Sequence, residues 1–345
     1  MTQLCNVAIN SEVFSANRGD LLLDAALMHG IELPYECRAG QCGTCRVRVI
    51  AGNCLGAATD DPTIVHACQA RILSDLQIAV EQTPSIVEVS GKIVDLIDVA
   101  PDVMEVCIES SHPINYIPGQ YLSVRLRGFP ARYYSPTALL EWPNDPDLIR
   151  LHVRRIARGR VSSELGLSIK KGHRLKITGP FGSAYFRSNR PGRLVLVSSG
   201  TGFAPIWAIA EAAIRENPAR ELLMIAGARS IESLYMIPAL CRLALFPCVT
   251  IVPTTATQQR ISCAVRHGEP IKYLPALSSD DIVYAAGPPA LVQAVFRAAQ
   301  ASGAPVFADP FVPSRDNAHC DATLVTRLAS WLLPFAQVRP LTNAA

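Results

Sequence analysis

The chain has 345 residues, 49% of them hydrophobic and 18% charged, and a formal net charge of +3. That length predicts two or three domains, each with enough apolar residues to bury a core. The near balance of charge excludes the basic stripe of a nucleic-acid binder. Met1–Asn10 has no basic segment followed by an apolar core, so no secretory signal is expected. The longest uncharged stretch, Leu194–Ala210, is too short to span a membrane and is broken by Ser, Gly and Pro. The expected setting is the cytoplasm, with no membrane contact.

Eleven cysteines are present, an odd number that argues against a disulfide framework. Cys5, Cys54, Cys107, Cys241, Cys248, Cys263 and Cys320 are scattered and read mostly as small buried apolar residues. The other four cluster. Cys37, Cys42 and Cys45 have C-x4-C-x2-C spacing, and Cys68 follows 23 positions after Cys45. This is the spacing of a plant-type [2Fe–2S] cluster, with potentials typically of about −400 mV. Three ligands wrap a compact cluster from one loop while the fourth returns from a distant segment. Gly40 and Gly43 let the loop turn backbone N–H groups toward the sulfurs. A zinc site usually needs two short knuckles, and only one is present. A simple CxxC redox pair leaves Cys37 and Cys68 unused. Cys54 is the alternative fourth ligand, but its place after the strand-like Arg46–Ile50 favours Cys68.

The flanks predict a small β-grasp domain. Leu4–Ile9 and Glu12–Phe14 read as a hairpin. Asp20 is placed to cap a helix over Leu21–His29, stopped by Gly30. Arg46–Ile50 and Leu76–Val80 alternate like strands, and Glu81–Ser90 reads as a linker.

Short β runs follow: Lys92–Ile97, Val103–Glu109, Gln120–Arg127, Leu148–Arg155 and Arg174–Thr178. Turn signals between them predict an antiparallel barrel. Within it, Arg132, Tyr134 and Ser135 suit one ligand: a cation for phosphate, a ring for packing, and a hydroxyl for a ring nitrogen. Gly159, Arg160, Val161 and Ser162 are read as a helix start with free N–H groups for a second phosphate.

Residues 192–312 alternate strands with helices, a doubly wound α/β pattern whose ligands sit at the carboxyl ends of strands. Arg193–Ser198 is a strand, the Gly-rich turn Gly200, Thr201 and Gly202 follows, and Ile206–Glu216 is a helix. Glu221–Ala226 and Ile282–Ala286 are further strands. After the second strand come Arg229, Ser230 and Tyr235, with no acidic residue placed to bind a ribose 2′-OH.

Taken in order, these motifs resemble the ferredoxin-NADP reductase superfamily, whose flavin domains carry R-x-Y-S. More closely, the chain is similar to the NADH-dependent reductases of bacterial aromatic-ring-hydroxylating oxygenases, of the naphthalene dioxygenase reductase kind. The resemblance covers about residues 4–312. It implies three modules: a plant-type ferredoxin at 1–82, a FAD-binding β-barrel at 83–188 and a NAD-binding α/β domain at 189–312. Residues 313–345 form an extension. Arg132, Tyr134 and Ser135 would then hold FAD, with Gly159–Ser162 on its pyrophosphate and Phe311 shielding the ring. Gly200, Thr201, Gly202, Arg229, Gly287 and Pro288 would serve the dinucleotide. The chain departs from many relatives at Arg158, where they have Gly, and at Ala286, where the family has Cys.

The implied reaction splits the two electrons of NADH, with NADPH as the alternative, through FAD to the cluster. No acid–base residue is required. The implied acceptor is a terminal oxygenase or its Rieske ferredoxin, docking on the cluster rim near Arg38, Ala39 and Gln41. A di-iron monooxygenase or a deoxysugar dehydratase is the alternative terminal enzyme. A non-catalytic electron carrier or redox sensor is the reading from another class, and Ala286 alone supports it. In the extension, Leu324, Leu328, Trp331 and Leu332 share a helical face, read as a short packed helix or a disordered tail.

Overall fold

The computed structural model describes residues 3–10, 12–31, 33–35, 38, 45–56, 63–80, 83–140, 148–188, 190–257 and 264–312. The extension after residue 312 therefore lies outside the described residues, as do Cys263 and Cys320. The chain divides into compact units at the junction of Gln82 and Thr83.

The first unit runs β1 (Leu4–Ile9), β2 (Glu12–Asn17), α1 (Leu22–Met28), β3 (Arg46–Leu55), β4 (Ile64–His66) and β5 (Arg71–Val80). The sheet order is β2-β1-β5-β3-β4, with β1 and β5 parallel and the other pairs antiparallel. Alternation sends Cys5, Val7 and Ile9 inward, where Leu22, Leu23, Ala25 and Ala26 of α1 cover them. Asp20 is not the helix cap. Leu21 takes that position, with no side-chain cap bond. The Asp20 carboxylate instead accepts from the Asn17 amide at 2.9 Å, closing the turn after β2. A carboxylate near a helix start has both options, and the preceding hairpin decides between them. Gly30 does end the helix, its N–H donating to the Leu27 carbonyl at 3.1 Å.

The second unit opens with β6 (Val87–Ala100), β7 (Val103–Ser110), β8 (Tyr121–Leu126), β9 (Arg132–Tyr134), β10 (Leu148–Arg154) and β11 (Arg174–Phe181). The linker is shorter than expected, because Val87–Ser90 already pairs with β11. The order is β10-β7-β6-β11-β8-β9, antiparallel throughout. An antiparallel bridge between Pro136, just after β9, and Leu151 of β10 joins the two edges into a barrel. Ile93, Val106, Ile108, Val124, Ile149, Leu151 and Ile177 fill it.

The same unit continues with β12 (Leu194–Ser199), α2 (Phe203–Glu216), β13 (Leu222–Ala228), α3 (Ile237–Leu243), β14 (Val249–Thr255), β15 (Arg266–His267), β16 (Ile282–Gly287), α4 (Pro289–Ser302) and β17 (Val306–Pro310). These strands form a parallel sheet ordered β15-β14-β13-β12-β16-β17. Helices cover both faces. Leu194, Leu196 and Tyr284 pack with α2 and α3, while Val195, Val197 and Val283 pack with α4. The strand order reverses between β12 and β16, the place where such sheets open a ligand crevice. No helix among the described residues is long and apolar enough to cross a membrane.

Of the five scattered cysteines that are described, Cys5 and Cys107 are buried as expected, Cys54 and Cys248 are half-buried, and Cys241 on α3 is exposed.

Trp207 of α2 is 1% exposed, and its indole Nε1–H donates to the Ala138 carbonyl at 3.0 Å. Truncating a buried indole costs about 3–5 kcal/mol. Trp207→Ala is therefore expected to lower the calorimetric midpoint of the second unit's transition and leave that of the first unit in place.

Candidate functional site

In the first unit, Cys45 and Cys68 are 1% and 3% exposed, and their sulfurs lie 3.3 Å apart. Cys45 immediately precedes β3, and Cys68 lies in the turn after β4, whose residues pair with the start of β3. A disulfide has sulfurs about 2.05 Å apart, so the pair is not linked. Two thiolates on one tetrahedral metal with bonds of about 2.3 Å stand a little under 4 Å apart. The pair fits two ligands of one iron. Cys54 lies on β3 opposite Ile72, and burial pushes its thiol pKa up. Cys37, Cys42, Ala39 and Gln41 lie outside the described residues. Arg38 is described. Its carbonyl accepts from Gln69 Nε2 at 2.7 Å, and its guanidinium meets Asp24 at 3.2 Å and lies over the Tyr35 ring.

In the barrel, Arg132, Tyr134 and Ser135 come from β9 and the residue after it. Alternation turns Tyr134 toward the apolar interior, beside Val124, Leu151 and Val161. Burial pushes its phenol up to about 12, against the opposing charge of Arg132. Tyr133 points the other way, into an aromatic group with Tyr121 and Phe181. Ser135 is buried, and its hydroxyl donates to Asp309 Oδ2 at 3.3 Å. Asp309 lies on β17, so this contact joins the barrel to the end of the parallel sheet.

Gly159, Arg160, Val161 and Ser162 do not start a helix; Gly159 has no regular structure and the other three lie in consecutive turns. Val161 is core, and Ser162 Oγ accepts from the Ile156 amide at 3.2 Å. Positive φ at Arg158, +63°, keeps the preceding chain out of helical geometry.

In the parallel sheet, Gly200, Thr201 and Gly202 form a short 3₁₀ turn leading into α2. A Cβ on Gly202 would stand 2.3 Å from the Ala286 carbonyl oxygen and 2.7 Å from Gly287 Cα. Only glycine lets the turn lie this close to the end of β16. Gly287 ends β16, and Pro288 precedes α4. The Phe311 amide donates to the Gly287 carbonyl at 2.8 Å, so Gly202, Gly287 and Phe311 are gathered at the strand-order reversal. Ala286 is 1% exposed, part of the core under α2. Arg229 follows β13 at the next strand's carboxyl end, its carbonyl accepting from the Thr257 amide and hydroxyl at 3.0 and 3.1 Å.

Among the described residues, three buried hydroxyls have no hydrogen-bond partner: Thr137 Oγ1, Ser198 Oγ and Thr254 Oγ1. Leaving such a group unmet costs about 1–3 kcal/mol. Thr137 lies two residues past Ser135, and Ser198 and Thr254 lie at the carboxyl ends of β12 and β14. With the Gly202 cradle, they fit polar ligands on the barrel and in the sheet crevice. None was legible in the sequence, where a strand-end hydroxyl looks like any other. Asp309, two residues before Phe311, was not singled out by its sequence either.

A further buried group lies on the barrel's outer face. Glu105 on β7 accepts from Arg150 Nη1 at 2.5 Å and meets His152 Nε2 at 3.1 Å. Burial alone would raise the Glu105 carboxyl, but hydrogen bonds and charge from His152 and Arg150 outweigh it and hold the pKa at about 2.

Comparison with known proteins agrees with this layout. Residues 7–73 match the 2Fe-2S iron-sulfur cluster binding domain, 90–186 the oxidoreductase FAD-binding domain, and 196–297 the oxidoreductase NAD-binding domain. The reductase component of the Pseudomonas putida naphthalene 1,2-dioxygenase system is 28% identical over 327 residues, covering 88% of this chain and 97% of the relative. Reductase component 1 of the Comamonas terephthalate 1,2-dioxygenase is 30% identical over 316 residues, covering 84% and 90%. The crystal structure of the Amycolatopsis cytochrome P450 reductase GcoB superposes with a TM-score of 0.64 at 25% identity, covering 90% of this chain and 99% of that one.

Gly202→Ala is expected to cut NADH-driven ferricyanide reduction by about tenfold or more while FAD content stays unchanged; measured turnover per bound flavin checks this. Because Glu105 titrates below its ordinary range when folded, its stabilisation is present above about pH 4.5 and lost as pH falls toward 2. The melting-temperature gap between wild type and Glu105→Gln should therefore shrink over that range.

Proposed function

The chain belongs to the family of oxygenase reductase components built from 2Fe-2S, FAD-binding and NAD-binding domains, and from that premise we propose how its residues divide the work and which acceptor it serves. It is an oxidoreductase that moves electrons from NADH through FAD and a [2Fe–2S] cluster. The acceptor we propose is a ring-hydroxylating oxygenase or its Rieske ferredoxin, in the cytoplasm. We take the modules as residues 1–82, 83–188 and 189–312. The observation that carries the reading is the gathering of Ser135, Asp309, Gly202, Gly287 and Phe311 where the barrel meets the parallel sheet.

Flavin, when bound, converts a two-electron hydride donor into a source of single electrons that an iron–sulfur cluster can relay. The chain's own residues arrange this. Arg132 pairs with the flavin's phosphate, and Tyr134 supplies an apolar wall. The Ser135 hydroxyl, donating to Asp309, keeps its lone pairs for a ring N–H. The backbone of Gly159–Ser162 lines the pyrophosphate, with Arg160 as its cation. Phe311, fixed by its amide on Gly287, covers the ring. Gly200, Thr201 and Gly202 take the dinucleotide's pyrophosphate at the start of α2. Pro288 and Gly287 bound the nicotinamide end, and Arg229 the ribose end. NADH is favoured, with NADPH the alternative because Arg229 and Ser230 suit a 2′-phosphate. Cys45 and Cys68, with their sulfurs close together, would hold one iron of the cluster, and the C-x4-C spacing offers Cys37 and Cys42 as the remaining ligands.

The likeness to GcoB, a cytochrome P450 reductase, favours one second reading, a cytochrome P450 as terminal acceptor. Reconstitution with purified oxygenases of each kind separates the two: substrate turnover with a ring-hydroxylating oxygenase supports the first. No NADH oxidation with ferricyanide would sink both. Cys42→Ser is expected to abolish cytochrome c reduction and spare ferricyanide reduction, because ferricyanide can draw electrons before the cluster. Equal loss of both, with FAD still bound, contradicts the proposed order.

A further inference from the structure

Tyr235 lies in the segment between β13 and α3, yet its partner belongs to the barrel. Its hydroxyl stands 3.2 Å from His152 Nδ1, and the two rings meet edge to face with centroids 5.1 Å apart and planes at 87°. His152 is almost wholly buried, 3% exposed in its side chain. It lies directly opposite Glu105 in the β7–β10 register. An ionised carboxylate only accepts, so the ring nitrogen facing Glu105, Nε2, carries a proton and donates it to that carboxylate. Nδ1 is aimed away from Glu105 and is hydrogen-bonded to the Tyr235 hydroxyl. The carboxylate orients the imidazole, and the imidazole holds the tyrosine.

Both ends of the segment from Arg229 to Tyr235 are therefore pinned. Arg229 is held inside the parallel sheet by Thr257. Tyr235 is held on β10, the strand whose Arg150 carbonyl accepts from the Thr137 amide and whose Leu151 bridges Pro136, directly after the flavin motif. Between the pins, the Ser233 amide donates to the Ser230 carbonyl and the two hydroxyls lie 3.3 Å apart, closing a compact turn. This segment carries the residues assigned above to the ribose end of the dinucleotide.

We propose that Tyr235 and His152 are positioning residues for the nicotinamide dinucleotide: their hydrogen bond latches the Arg229–Tyr235 segment to the flavin barrel in the shape that receives the ribose end. The inference rests on the nicotinamide reading of the crevice. A segment ordered before binding spares the ligand the entropy of ordering it. Loss of the latch should therefore appear in affinity more than in turnover.

The test is NAD+ binding to the intact, cofactor-loaded protein by calorimetry, with melting temperature measured beside it. Tyr235→Phe and His152→Leu are each expected to weaken NAD+ by about fivefold, the worth of one buried hydrogen bond. The double variant should be no weaker than either single one. His152→Asn, whose side-chain amide offers both an acceptor and a donor near the place of Nδ1, should keep near-wild-type affinity. KM for NADH should follow the dissociation constant while kcat moves less than about twofold. Unchanged NAD+ affinity in Tyr235→Phe, or additive losses in the double variant, overturns the latch. If His152→Leu does not fold, Tyr235→Phe alone decides. If wild-type protein binds neither NAD+ nor NADH, the crevice reading fails and the latch with it; wild-type binding with unaffected variants removes the latch alone.

Discussion

Closure of the barrel at β10 is the constraint on which the larger unit depends. An open antiparallel sheet has two raw edges, and here the chain leaving β9 is stitched onto β10 through the Pro136–Leu151 bridge and the Thr137–Arg150 hydrogen bond. The stitch fixes Ser135 at the barrel rim, where Asp309 can reach it. It also fixes β10, whose inward residues fill the core and whose outward residues, Arg150 and His152, carry the buried ion group with Glu105. One edge contact thus sets the flavin motif on one side and the reach to the nicotinamide domain on the other.

The parallel sheet solves a different problem. Its crevice exists because neighbouring strands β12 and β16 send their following segments in opposite directions. The Gly202 turn must then lie almost in contact with the end of β16, and the absent Cβ makes room for it. Ala286 stands beneath that contact, closed into the core. Its small side chain suits tight packing of α2, which gives the residue a structural reason independent of any contact with a ligand.

The parts of the site that were legible in the sequence are local. Four cysteines at plant-type spacing, an Arg-x-Tyr-Ser tetrapeptide and a Gly-Thr-Gly turn each hold their chemistry within a few residues. The alternating strands were legible for the same reason. Asp20 was misread because two local bonds competed and the hairpin won. Gly159–Ser162 looked like a helix start because glycine and serine favour one, while the left-handed Arg158 before it turns the chain elsewhere. The Glu105–His152–Tyr235 chain left no trace in the sequence, since its members come from three segments that only the fold brings together. The same holds for Ser135 and Asp309, 174 positions apart.

Trp207 offers something of a different kind. It is the one tryptophan among the described residues, and its indole is both buried and hydrogen-bonded to Ala138, three residues past the flavin motif. An indole so placed is an optical gauge built into the seam between barrel and sheet. Its emission colour reports whether that seam is dry, and a nearby yellow chromophore would drain its light. With Trp142 and Trp331 replaced, the molecule would carry its own fluorescent readout of cofactor loading and of any loosening between the two halves of its larger unit.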